Sequence, residues 1–388
     1  MTPVSVNEMP AINWPARFER IRAKMAQKDV DVLMSTGLPT LAYTGHFYQS
    51  LAWYVNTAVL LGQNGASQVV LPVADVSRVA HETWIENIVP WNPAMFGRKE
   101  RLFEQVVADF INSYSGRASG KVRVGIEANL GWRGQKALAD LAPNAEWVAA
   151  DDLLTDLMII KEEEEIARMR KVASMCDVGF EAGLAALKSR SVRTEVQLVG
   201  VVEKAMRDVG CEGYWVPNQA GTGKTVLLDH YPTSARIEPD HIVKFGCHPQ
   251  FMLYRGDTCN TVALSRPEPE FERLARVCAD ATRDCIERLG PGVVASEVYD
   301  AFRRPMQEAG YEEYCTWYIG HGLGTGHQPP FVSPQSAEVL KPGMIVVINT
   351  MAVKEGRPGV VYETMCLIDD TGYEVLNKNP MELVVLED

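Results

Sequence analysis

The 388-residue chain has no dense cysteine framework, no long apolar run and no basic excess, and each absence removes a class of protein. Its eight cysteines stand at 176, 211, 247, 259, 278, 285, 315 and 366, with no CxxC pair and none before residue 176. That spacing excludes a disulfide-dense secreted scaffold and points to reduced thiols, as in a cytoplasm. No apolar stretch approaches the ~20 residues a membrane span needs. Acidic residues outnumber basic ones by 50 to 38, a formal net charge of −12. The phosphates of nucleic acid or anionic lipid would be repelled, so neither is an expected partner. The opening MTPVSVNEMPAINWPARF has neither the basic start nor the apolar block of a signal peptide. Hydrophobic residues at 46% and charged residues at 23% are ordinary for a globular protein. The length is roughly twice a usual domain of about 100–200 residues, so two domains are expected.

The first ~150 residues alternate between helical and strand periodicity, which argues for an α/β domain. Pro15 to Gln27 reads as an amphipathic helix and DVDVLMST as a short buried strand. Asn56–Leu61 and Gln68–Pro72 flank the turn-rich QNGAS, a hairpin signal. Helical pattern returns from Glu100 to Tyr114, and VRVGIEA reads as a further strand. Near residue 155 the character changes. One long helix is expected from Ile159 to Leu187, with Ile166, Met169, Ala173, Cys176, Phe180, Gly183 and Leu187 as its buried stripe. The acidic run Glu162–Glu165 suits its N-terminal turns as a solvated face. Two later segments, VRTEV at 192–196 and VASEV at 294–298, each open a helix closed by Gly210 or Gly310, with Thr194 and Ser296 as expected N-caps. A long helix precedes each copy and β-rich sequence follows. Two α-α-β halves related by a pseudo-twofold are expected, with a site where their sheets meet.

Polar residues gather in this second region, in or beside predicted strands: His230 in LLDHYP, Asp257 in LYRGDTCNT, His321 and His327 in GHGLGTGHQPP, Asn349 in MIVVINT and Glu363 in VVYETMCLI. Such groups are costly among apolar neighbours unless paired or used. The glycines around His321 suggest a backbone that approaches a ligand closely. Trp215, Trp317, Tyr214, Tyr231 and Tyr318 flank these motifs, as core aromatics or as a cage for a small cation. Cys259 could be a nucleophile, but the carboxylate of Asp257 beside it favours packing or substrate contact. AGTGKT at 220–225 lacks the first glycine of a phosphate loop, Asn218 standing there, and is not expected to bind nucleotide.

These motifs, their order, the IIKEEEEIARMR helix, the Gly-His-Gly at 320–322 and Met344 within LKPGMIVVINT resemble the creatinase/aminopeptidase P/methionine aminopeptidase superfamily over nearly the whole chain. The resemblance implies a creatinase-like α/β N-terminal domain over residues 1–155. It also implies an α+β pita-bread catalytic domain with an internal pseudo-twofold over 156–388. Metallopeptidases of that superfamily hold two divalent ions through two aspartates, one histidine and two glutamates, in a pattern like D-x-G…Y-x-x-D-x-T-R-T. Here Tyr254, Asp257 and Thr261 match, whereas Gly246 takes the place of the first aspartate and Asn349 that of the first glutamate. Asp257, His321 and Glu363 remain, a set for one divalent ion at most.

The creatinase branch works without metal, through a histidine that corresponds to His230 and exchanges protons between water and a leaving nitrogen. On this resemblance the expected activity is metal-independent, cofactor-free hydrolysis of a C–N bond in the amide, amidine or ureido group of a small nitrogenous substrate. His230, His321, His327 and Glu363 would be catalytic, and Asp257, Cys259, Asn349, Trp215 and Trp317 would contact substrate. Cys259 and Asn349 replace the two glutamates that grip creatine, which argues against creatine itself. The ectoine hydrolase branch is also within reach of the resemblance. The alternatives are an Xaa-Pro-type metallo-aminopeptidase or dipeptidase with a single metal, and an inactive peptidase-like binding protein. A homodimer is implied, with the aromatic segment His46–Tyr54 reaching the partner's site.

Overall fold

The computed structural model describes residues 9–48, 56–92, 102–114, 120–222 and 231–386. The chain divides into two compact units, one spanning Ile12–Met158 and the other built from Ile159 onward. The first contains α1 (Trp14–Gln27), β1 (Val32–Ser35), α2 (Leu38–Gly45), β2 (Ala58–Gly62), β3 (Ser67–Pro72), α3 (Val76–Glu82), β4 (Ile88–Trp91), α4 (Phe103–Ser113), β5 (Val122–Ile126), α5 (Trp132–Leu141), β6 (Ala145–Ala149) and α6 (Asp151–Met158). Its sheet runs β4-β3-β2-β1-β5-β6, antiparallel at β1–β2 and β2–β3 and parallel elsewhere. The expected hairpin is β2–β3, turning at Asn64-Gly65, where Gly65 has φ +90°. Consecutive strand residues feed opposite cores. Leu33, Val59, Leu61, Val69 and Leu71 enter one cluster, and Val32, Met34, Ala58, Leu60 and Val70 the other.

The second unit begins its regular structure with α7 (Glu163–Lys188) and α8 (Glu195–Asp208). Strands β7 (Gly213–Tyr214), β8 (Ala220–Thr222), β9 (Ile242–Cys247), β10 (Pro249–Phe251), β11 (Tyr254–Arg255) and β12 (Thr258–Ala263) follow. The pattern then repeats as α9 (Pro269–Arg288) and α10 (Ala295–Glu308), followed by β13 (Gly320–Leu323), β14 (His327–Phe331), β15 (Ile345–Ala352), β16 (Val360–Ile368), β17 (Tyr373–Val375) and β18 (Val384–Val385). A large sheet runs β14-β13-β15-β16-β12-β9-β8, and β7, β10 and β11 form a small one. Helices α7 and α8 cover one half of the large sheet through Val243, Phe245 and Cys247; α9 and α10 cover the other through Val346, Ile348, Tyr362 and Cys366. The repeat extends to detail, since the bridges Thr194↔Arg236 and Val294↔Val339 occupy corresponding places in the two halves.

The expected stripe of α7, from Ile166 to Leu187, is buried throughout. Gly183 is required there because a Cβ would come within 2.6 Å of the Phe245 ring. The acidic run is not uniformly solvated. Glu165 is buried, accepts from the Glu162 amide at 3.0 Å and accepts from the Tyr254 hydroxyl at 2.9 Å. Thr194 caps α8 as expected, accepting from the Gln197 amide, and Gly210 and Gly310 end α8 and α10 at φ +101° and +85°. Ser296 is not the counterpart cap. Val294 holds that place, so Ser296 lies inside the first turn of α10.

Candidate active site

A cavity of about 650 Å³ opens on the face of the large sheet opposite Val243, Phe245, Tyr362 and Cys366, over the part that the helices leave uncovered. Sheet register builds its floor. Gly246 on β9 pairs with Cys259 on β12, Cys259 with Glu363 on β16, and Glu363 with Asn349 on β15, so four adjacent strands set these residues in one lateral row. The next row on the same face runs Lys244, Thr261, Val361, Met351. On β9 the alternation is strict: Val243, Phe245 and Cys247 enter the helix-covered core, while Lys244 and His248 line the cavity.

Asp257 is the hub. Its Oδ1 lies 3.4 Å from His248 Nε2, and its Oδ2 lies 3.4 Å from His321 Nε2 and 3.5 Å from His327 Nε2. The distal nitrogens of two of these rings tie them to backbone carbonyls, His248 Nδ1 to Pro217 O and His321 Nδ1 to Gly322 O, both at 3.1 Å. A carbonyl only accepts, so Nδ1 carries a proton in each ring and Nε2 is the nitrogen turned toward Asp257. Burial alone would push the Asp257 carboxyl up, yet hydrogen bonding from His321 and His327 and the charge of His248 hold it well below the ordinary carboxylate range. Asn349 Oδ1, on the same floor, is buried with no hydrogen-bond partner among the described residues.

The cavity brings together His321, His327, Glu363, Asp257, Cys259, Asn349, Trp215 and Trp317. His230 lies outside the described residues, as do Gly223 to Thr225 of the AGTGKT stretch and residues 49–54 of the aromatic segment. Trp215, Tyr231, Trp317 and Tyr318 line the wall, with Trp317 78% and Tyr231 66% exposed. Trp215 meets His327 edge-on at 4.7 Å and donates from Nε1 to Gly256 O. Tyr214 turns away, donating to Glu203 O. Gly320 and Gly322 do not admit a ligand. A Cβ on either would strike a neighbouring strand's carbonyl, of Val347 or Pro329, so they are needed for sheet packing. Cys259 is a neutral thiol, pushed up to about 12 by burial first and then by Glu363 and Asp257, against the opposing charge of Lys244.

Two residues escaped the sequence reading. Lys244 sits on the open face of β9 and His248 directly after its last residue, and the alternation of IVKFGCH, apolar against Lys-Gly-His, was the available signal. Their presence changes the ligand set. Asp257, His321 and Glu363 do not form one group; instead Asp257, His321 and His327 converge, as do His248, Asp257 and Glu363, each trio with donor atoms within 4.8 Å. Imidazole and carboxylate donors in this ratio suit a divalent transition ion, so the residues present fit a metal.

Comparison with known proteins agrees. The model of metallopeptidase family M24 matches residues 167–370, and that of the creatinase/prolidase N-terminal domain matches 17–160. An Xaa-Pro dipeptidase of Pyrococcus horikoshii is 28% identical over 264 residues, 67% of this chain and 74% of that protein. Among solved structures, a prolidase from Thermococcus sibiricus superposes with a TM-score of 0.87 at 19% identity, covering 97% of this chain and all of that one. An Xaa-Pro dipeptidase from Bacillus anthracis gives 0.83 at 22%, covering 96% and 100%. The architecture is therefore a creatinase-type N-terminal domain followed by a pita-bread catalytic domain. These relatives overturn the expectation of a metal-independent, creatinase-like hydrolase of amide, amidine or ureido compounds, and with it the expectation that no cofactor is used. The physical reason lies in the floor of the cavity. The loss of carboxylates at Gly246 and Asn349 leaves, from the sequence, a set for one ion at most and no metal as the main expectation, but His248 and His327 add nitrogen donors beside the carboxylates that remain.

Proposed function

Because the chain belongs to metallopeptidase family M24, we propose that it is an Xaa-Pro-type metallopeptidase acting on short peptides, with a divalent ion held among Asp257, Glu363, His321 and His248 and with His327 beside them. The observation that carries this reading is the convergence of three imidazole nitrogens on Asp257, two of the rings locked by backbone carbonyls. Such locking fixes tautomer and aim, as metal ligands require. The chemistry a divalent ion brings to such a site is Lewis acidity toward a carbonyl oxygen and toward water.

The protein's own groups supply binding and proton transfer. The cavity volume suits a small ligand, and the Trp215, Trp317 and Tyr318 wall gives a proline ring an apolar surface from which water is excluded. Asn349 Oδ1 accepts from the substrate's ammonium, and Lys244 supplies the positive charge that meets a terminal carboxylate. His327, the half-exposed imidazole of the group, is placed to deliver a proton to the leaving nitrogen.

The test is hydrolysis of a panel of Xaa-Pro dipeptides, longer Xaa-Pro peptides and dipeptides without proline by metal-reconstituted protein. Cleavage confined to Xaa-Pro bonds supports the reading, and no cleavage of any peptide contradicts it. We further propose a homodimer, supported by the exposed Trp317 and Tyr231 at the cavity mouth. Sedimentation showing a fully active monomer contradicts that. The unpaired thiols support a reducing compartment such as the cytoplasm, which cell fractionation tests.

A further inference from the structure

We propose that His248 is a metal ligand that has taken over the place of the carboxylate missing at Gly246, an inference that rests on the metallopeptidase reading. Gly246 lies on the open face of β9 and His248 directly after the strand's end, and the structure shows that they compete for one space. A Cβ built on Gly246 would lie 3.1 Å from His248 Cε1, 3.2 Å from His248 Nε2 and 3.2 Å from the Thr258 carbonyl. The imidazole thus fills the volume an aspartate side chain at 246 would need. A carboxylate at 246 with glycine at 248, or glycine at 246 with an imidazole at 248, delivers one donor to the same point; having both would crowd it.

The ring is built in rather than resting there. His248 is 2% exposed, its amide donates to Asn218 Oδ1 at 2.6 Å, and Asn218 donates in turn to Glu203. Its Nδ1–H is committed to Pro217 O, and Trp215 stands edge-on to it at 5.9 Å. Its Nε2 lies 3.4 Å from Asp257 Oδ1 and converges with one oxygen each of Asp257 and Glu363, the three donor atoms all within 4.8 Å of one another. Two carboxylates and one neutral imidazole balance a divalent ion in charge. Replacing an oxygen donor by a nitrogen donor also moves the site's preference from manganese toward zinc or cobalt.

The experiment strips the full-length protein with a chelator and titrates it calorimetrically with Zn²⁺ alone and with Mn²⁺ alone, with elemental analysis of the loaded protein. His248→Ala is expected to weaken Zn²⁺ binding at least tenfold. The double variant Gly246→Asp/His248→Gly is expected to recover Mn²⁺ binding and to lower the Zn²⁺/Mn²⁺ affinity ratio at least tenfold below wild type. Should His248→Ala not fold, His248→Gln, which keeps a polar side chain without the imidazole, is titrated in its place and is expected to show the same loss of Zn²⁺ binding. Unchanged Zn²⁺ affinity in folded His248→Ala, or an unchanged ratio in the double variant, overturns the ligand assignment and leaves the metallopeptidase reading standing. A wild-type protein that takes up neither ion overturns that reading itself.

Discussion

The two larger sheets of this protein are built from similar strands and do opposite things. In the N-terminal unit both faces are covered, so Val32, Leu33 and Met34 alternate between two apolar cores and every position of β1 is buried. In the catalytic unit the helices leave part of one face open, and there the alternation carries chemistry: Val243 and Phe245 point into the core while Lys244, between them, points into the cavity. A covered face selects for volume and shape, and substitutions there act on stability. An open face lined by a cavity selects for donors and charges, and substitutions there act on ligands. The same strand can therefore be cut into two functional classes by parity alone.

Asp257 gives the sharpest way to break this comparison, since it belongs to both donor trios. Asp257→Ala should abolish metal retention and lower peptidase kcat/KM by at least ~10³-fold, with a melting transition still present. Elemental analysis alongside kinetics checks it; a variant that keeps its ion and its rate would show that the open face is not the site. On the covered side of β9, Phe245→Ala removes a ring stacked on Phe180 at 5.3 Å. It should cost about 3–5 kcal/mol in denaturant unfolding while leaving Zn²⁺ affinity per folded molecule unchanged.

Lys161 sharpens the contrast from a different direction, because it is a charge inside a covered region. Burial lowers it to about 7 from 10.5, against partial support from Glu165. Between those values the unfolded chain holds a proton that the folded chain lacks, so wild-type stability rises with pH across that window and is flat in this respect below it. Lys161→Met should therefore be more stable than wild type by up to roughly 4 kcal/mol near and below neutrality, the gap closing toward pH 10.5. Unfolding curves of both proteins at several pH values check it, and a gap that does not change with pH would refute the assignment. The smallest effect is expected at Lys244. Lys244→Met should raise KM for dipeptides about tenfold, near the 1.4 kcal/mol that a weakened ion pair represents, with kcat little changed.

Much of this organisation was legible in the sequence, for physical reasons that also explain what was not. The stripe of α7 could be read because a helix buried on one side repeats every three to four residues. These residues could be read because Asn349 and Glu363 interrupt apolar strands, and Asp257 directly precedes one, where polarity is costly. Glu165 was misread as solvated because Tyr254, which buries and satisfies it, lies 89 residues away in sequence. The glycines flanking His321 were misread because their reason is the carbonyls of Val347 and Pro329, which only the sheet brings close. His248 was missed for the same cause. By itself it is one histidine at the end of a strand, and its meaning comes from Gly246 two residues before it and from Asp257 and Glu363 farther along the chain.

The central claim is that the open face of the large sheet is a metal-dependent peptidase site. It is tested most directly by assaying chelator-stripped protein on an Xaa-Pro dipeptide before and after adding back Zn²⁺, Co²⁺ or Mn²⁺, with metal content measured on the same samples. The account predicts that stripping abolishes hydrolysis and that adding back at least one of these ions restores it in proportion to the ion bound. Undiminished hydrolysis by protein shown to contain no metal would contradict it.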